Sequence, residues 1–102
     1  MATSTKTLGG KEYFSDGNGI RKMSDIPIDI PHVMVSRYPN PTEYGSFVVE
    51  LQNEDTNENF KCYMPAYIAK EYREGKVFIY DSLQAKNDGS GHTYHRVMWR
   101  KN

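Results

Sequence analysis

From His32 onward, apolar and polar residues alternate with a period of two. Successive side chains of a strand point to opposite faces, so this alternation predicts strands with one buried face. HVMVSRY predicts a first strand, PNPTEYG a turn containing two prolines, and SFVVELQ a second strand. NEDTNEN reads as a polar turn, and FKCYM as a third strand that stops at Pro65. Proline costs nothing at the start of a helix, where its missing N–H has no intrahelical partner. AYIAKEYREG then spaces Ala66, Ile68, Ala69 and Tyr72 for one buried face, with Gly75 as C-cap, and predicts a short helix. KVFIYDSL predicts a fourth strand, QAKNDGSGH a glycine-rich loop, and TYHRVMWRK a fifth strand.

The first 25 residues differ. MATSTKTLGGKEYFSDGNGIRKMSD has four glycines among polar residues and no sustained period, and Pro27 and Pro31 then bracket extended chain. This divides the chain into a flexible N-terminal arm, 1–27, and one β-domain, 28–102. A chain of 102 residues has room for one modest core. Five closely spaced strands fit a small barrel better than an open sheet, because closure removes exposed edges.

Three strands, a short helix and two strands is the element order of an OB-fold barrel. The chain resembles the OB-fold single-stranded DNA-binding proteins over about residues 28–101, in particular short ones from viruses and mobile elements. Three features carry the resemblance: Tyr44-Gly45 before a strand, YMP at Tyr63–Pro65, and TYHRV at Thr93–Val97. It implies a mainly β, five-stranded OB-like barrel with one short helix. It also implies a binding groove flanked by the loops joining strands one to two and four to five.

Alternation separates two faces. If Phe47, Val49 and Leu51, then Phe60, Cys62 and Met64, then Val77 and Ile79, then His95, Val97 and Trp99 form the core, the outward set is Lys61, Tyr63, Phe78, Tyr80, Tyr94, Arg96 and Arg100. KVFIY is apolar on both sides, so the opposite orientation, with Phe78 and Tyr80 inward, stays open. The outward set interleaves rings with cations, the pairing that single-strand binders need: rings stack on bases and cations track phosphates. The two loops add Arg37, Tyr38 and Tyr44, and Lys86, as further candidate nucleic-acid contacts.

Composition changes this picture little. Aromatics reach 13% and eight are Tyr, whose polar tip suits a half-exposed contact surface. Thirteen bases balance thirteen acids, so net charge does not point to a polyanion. The distribution is uneven: 61–102 holds eight bases against four acids, which makes the C-terminal part the side for phosphate contact. Cys62 is alone, which excludes an internal disulfide. No apolar run reaches membrane-spanning length and no signal-peptide core follows Met1, so a soluble intracellular protein is expected.

Candidate chemistry is sparse. His92 and His95 fall on opposite faces and Cys62 reads as a small buried hydrophobe, so no metal site is expected. Glu54, Asp55 and Glu58 read as a solvated turn and not as a nuclease centre. GNG at 17–19 lacks the lysine of a phosphate-binding loop. No cofactor and no catalytic residue is therefore expected. The reading is a sequence-tolerant binder of single-stranded nucleic acid, DNA ahead of RNA, acting in replication or recombination and able to form homo-oligomers. The alternative is a small β-barrel adaptor, a viral or mobile-element accessory factor whose aromatic face meets protein.

Overall fold

The computed structural model describes residues 5–14 and 19–101. Of the expected arm, residues 1–4 and 15–18 lie outside the described residues. Strands β1 (Thr5–Leu8) and β2 (Lys11–Phe14) pair as an antiparallel hairpin in a sheet of their own. Their two-residue turn is Gly9-Gly10, at φ +59° and +82°, values that fit glycine and match the twist of the flanking strands.

A second sheet forms the body of the protein. In chain order its strands are β3 (Arg21–Lys22), β4 (Pro31–Arg37), β5 (Phe47–Asn53), β6 (Asn59–Met64), β7 (Val77–Ala85) and β8 (Thr93–Trp99). A 3-10 turn, Met23–Asp25, follows β3, and a single-turn helix α1, Ala66–Ala69, follows β6. The strands lie side by side as β3-β6-β5-β4-β7-β8. Thus β4, β5 and β6 form a meander, β7 returns antiparallel to the far side of β4, and β3 pairs parallel with β6. The sheet curls into a half-barrel, helped by bulges between Met34 and Ser36 and between Tyr80 and Ser82.

The core lies in the hollow of the curl. Met34, Val49, Leu51, Phe60, Cys62 and Met64 meet Phe78 and Tyr80 there, with Ile68 and Ala69 of α1 packed against them. Val97 and Trp99 of β8 close the cluster as partly buried residues. The alternation of β6 and β8 thus lies as the sequence predicts, and β5 turns Val49 and Leu51 inward as expected while Val48, on its other face, is fully buried too.

The facing of β7 is reversed from the outward assignment of Phe78 and Tyr80. Phe78 is 0% exposed and Tyr80 3%, while Ile79 on the other face is half-buried. Pairing decides this: Phe78 sits opposite His32 of β4 and Trp99 of β8, and cross-strand partners share a face. With His32 buried, Phe78 is buried too.

The expected helix over 66–75 is one turn long. After it, Glu71 N–H donates to Ile68 O and Tyr72 N–H to Ala69 O, tightening the chain out of the helix. Gly75 N–H then donates to Met34 O at 2.9 Å, and Met34 N–H to Lys76 O at 2.8 Å. These two bonds stitch the segment to β4 and launch β7; a helix reaching Gly75 would leave both unmade.

The packed sheet also starts earlier than the expected boundary at residue 28. Met23 and Ile26 are 3% and 2% exposed and belong to the core cluster. Arg21 clamps Glu58 in the β5–β6 turn through two hydrogen bonds of 3.0 and 3.1 Å. In the same turn Glu54 accepts two bonds from Arg100, at 2.8 and 3.0 Å. Glu54 and Glu58 thus tie the two ends of the sheet, and these bonds hold both carboxyls below their usual range.

Candidate nucleic-acid interface

Two edges of the half-barrel face each other across a seam, β3 with β6 on one side and β8 on the other, with α1 between them. Strand alternation turns Lys61 and Tyr63 of β6 away from the core. Tyr63 pairs with Val48 of β5 on one flank and with Lys22 of β3 on the other. Tyr38, just past β4, is fixed by its N–H to Val48 O at 3.0 Å, and the Lys61 ammonium sits 5.3 Å from its ring centroid.

The loop from Tyr38 to Ser46 is tightly built. Thr42 N–H donates to Ser46 O at 2.7 Å, Gly45 N–H returns to Thr42 O, and the two hydroxyls of Thr42 and Ser46 meet at 2.7 Å. Gly45 takes φ +85°, which favours glycine. This frame holds Tyr44 88% exposed. The well-bonded loop fixes the backbone at Tyr44 and offers its ring to a partner as a contact surface.

Two adjoining clefts run along the seam. One, of about 330 Å³, is lined by Lys22, Tyr44, Tyr63, Pro65 and His95. The other, of about 280 Å³, is lined by Tyr67, Tyr94, His95, Arg96 and Trp99. His95 lines both, so the two clefts adjoin at this residue, with Tyr44 and Tyr63 lining one and Tyr67 and Tyr94 the other. The position of His95 is determined on three sides. Tyr67 Oη accepts from His95 N–H at 2.7 Å and donates to His95 O at 3.2 Å. The Tyr80 hydroxyl meets His95 Nδ1 at 2.9 Å. Burial pulls the His95 imidazole below its ordinary range, so it is neutral at pH 7. Burial raises the Tyr80 phenol, which stays protonated.

The candidate residues of the sequence fall into three groups. Tyr44 and Tyr63 line the first cleft and Tyr94 and Arg96 the second, while Lys61, on the same face of β6 as Tyr63, and Tyr38 beneath its ammonium lie outside both. Arg37, Lys86 and Arg100 line neither cleft. Arg37 lies over the Phe47 ring at 5.1 Å, Arg100 is held by Glu54, and Lys86 opens the β7–β8 loop. Phe78 and Tyr80 lie in the core, so they offer no ring to a ligand. Lys22, Tyr67 and His95 were missed as site residues. Lys22 sits in a segment with no period, and the roles of Tyr67 and His95 arise from long-range contact.

Cys62 is fully buried, and burial pushes its thiol up to about 12. It is expected to resist alkylation by iodoacetamide at pH 8 in the folded protein and to react at the ordinary rate in denaturant. Equal rates in both states would contradict its placement. Among the described residues, no group of three or more His, Cys, Asp or Glu side chains is placed to hold a metal ion. No described helix is long and apolar enough to cross a membrane. No family model, curated protein or solved structure matches the chain.

Proposed function

We propose that this protein binds single-stranded nucleic acid with little sequence preference, DNA ahead of RNA, along the seam groove. One observation carries the reading: Tyr44, Tyr63, Tyr67 and Tyr94 converge with Lys22 and Arg96 on the groove that His95 joins. Base–aromatic stacking contributes ~1–3 kcal/mol per base and tolerates any sequence, because every base has a π-face. The strand order supports an OB-type half-barrel, with β4 to β8 in the places of the five strands. In OB-folds the ligand lies on the face of strands two and three, flanked by the first and last loops. Here that face carries Lys61 and Tyr63, and the first loop carries Tyr44. Protection or organisation of single strands in replication or recombination, in a virus or mobile element, is the role such a groove fits.

The test uses a labelled oligo(dT) across a salt series. The wild-type protein is expected to bind with an affinity that falls with salt, by a log–log slope of about 0.7 per phosphate contact. Tyr44→Ala removes a ring that contacts little else, so the fold should persist while affinity drops by about 5- to 100-fold. Absence of binding at low salt overturns the function, and an unaffected Tyr44→Ala protein overturns the site.

A second reading has its own support. Arg96 is paired with Asp81 at 3.3 Å and Arg100 with Glu54, so two of the C-terminal cations already have anionic partners. A tyrosine-rich groove with neutralised arginines also suits a protein partner, as in an adaptor. Indifference to oligonucleotide and to salt is the result that would favour it.

A further inference from the structure

Strand β8 is an edge of the sheet, so one row of its main-chain groups faces away from β7. Which residues form that row follows from two contacts. Arg100 N–H donates to Val77 O at 2.9 Å, so even-numbered positions turn their main chain toward β7. His95 turns its N–H and C=O the other way, and both are taken by the Tyr67 hydroxyl. The register shift in this pair lies between Tyr80 and Ser82 of β7, so the parity of β8 runs unbroken. Val97 therefore presents its N–H and C=O outward, ~7 Å beyond His95.

Tyr67 shows what such a pair accepts: one group that gives a hydrogen bond and takes one. It also limits what can dock. A peptide strand added to this edge needs the main chain of His95 as well as that of Val97, and the hydroxyl and α1 stand in its way. The cleft between Tyr67 and Trp99 has room for a short planar group beside Val97, with Tyr94 and Arg96 at its margin. A nucleobase has that shape, and each base carries an adjacent donor and acceptor on its pairing edge.

We propose that the Val97 main-chain N–H and C=O form a reading site for the pairing edge of one base of the bound strand. The N–H donates to a base carbonyl or ring nitrogen, and the C=O accepts a base N–H. This deepens the nucleic-acid reading and rests on it. Such a site selects for an unpaired base without choosing among the four, so it recognises single-strandedness.

Oligo(dT) and the same oligomer with N3-methylthymine test this, since methylation blocks the base donor and leaves the phosphates in place. The wild-type protein is expected to bind the methylated strand roughly 5- to 10-fold more weakly. Val97→Pro removes the outward N–H, and proline is tolerated on an edge strand where that N–H faces solvent. This variant is expected to fold and to bind oligo(dT) more weakly, while its retained C=O, the partner of the thymine N3–H, keeps most of the discrimination against the methylated strand. Met98→Pro, which removes an N–H facing β7, is expected to be strongly destabilised.

Equal wild-type affinity for both oligomers overturns the reading site and leaves strand binding intact. Undiminished affinity for oligo(dT) in folded Val97→Pro overturns the assignment to Val97. Loss of folding in Val97→Pro alongside a stable Met98→Pro overturns the edge orientation. Absence of wild-type binding to either oligomer overturns the function itself, and the reading site with it.

Discussion

Phe78→Ala is expected to cost about 3–5 kcal/mol, the largest loss for any single truncation in the sheet. Its ring is fully buried and lies 5.9 Å from Trp99 and 6.0 Å from His32. Removing it leaves a cavity among β4, β7 and β8 whose walls are held by strand pairing and collapse poorly. Small domains are stable by only about 5–15 kcal/mol, so this one change threatens the fold. Ile79→Ala, on the opposite face and half-buried, is expected to cost less than half as much. Urea unfolding of both variants, at unchanged m-value, gives the comparison directly. An inverted ranking would restore the outward assignment of Phe78. For the same reason, loss of nucleic-acid binding in Tyr80→Ala would report on folding and not on contact.

Acidification from pH 7.5 to pH 5 is expected to destabilise the protein through His32. The imidazole is fully buried between Phe60, at 5.6 Å edge-on, and Phe78. Nδ1–H donates to Ile30 O at 2.9 Å, and Nε2 has no partner. Burial lowers its proton affinity, and the Arg21 charge acts in the same direction. The Ile30 carbonyl and the Asp55 carboxylate oppose them. The unfolded chain therefore binds more protons than the folded one once pH drops below ~6.5. Stability is full above that value and falls through the window below it, by at most about 1.4 kcal/mol per pH unit for one group. His95, also lowered by burial, acts in the same direction. Glu54 and Glu58 contribute in a lower window, because their lowered carboxyls give up stability only as pH falls below the usual carboxylate value. Urea midpoints at pH 7.5 and 5 should shift for the wild type and shift far less for His32→Leu. A wild-type midpoint that stays constant over this range would rule the effect out.

Legibility from sequence followed the strength of local pattern. FKCYM alternates cleanly, and SFVVELQ and TYHRVMW do so apart from Val48 and Met98, so their spans fall within a residue or two and their core-facing residues hold. KVFIY is apolar on both sides and carries no such code; its facing comes from the β4 register that sets Phe78 opposite His32. AYIAKEYREG has helical spacing, yet its second half runs through two turns, and the backbone bonds of Gly75 and Lys76 to Met34 tie its end to β4. Met23 and Ile26 are isolated apolar residues among polar ones. No periodicity distinguishes them from an arm, and only their contact with the curled sheet buries them.

The candidate site divides along the same line. Tyr63, Tyr94 and Arg96 were legible because alternation fixes their side of the sheet, and Tyr44 because a proline-bounded turn exposes it. Their convergence was not legible. Tyr44, Tyr63, Tyr67 and Tyr94 come from four separate stretches, joined where α1 meets the β8 edge through one hydroxyl on His95. Pattern in a sequence reports what each residue does within a few neighbours: its face, its turn, its tendency to extend. The β7 facing, the one-turn helix and the seam groove depend on pairings between residues far apart in the chain. Those are set by the free energy of the whole sheet, which strand-by-strand alternation does not encode.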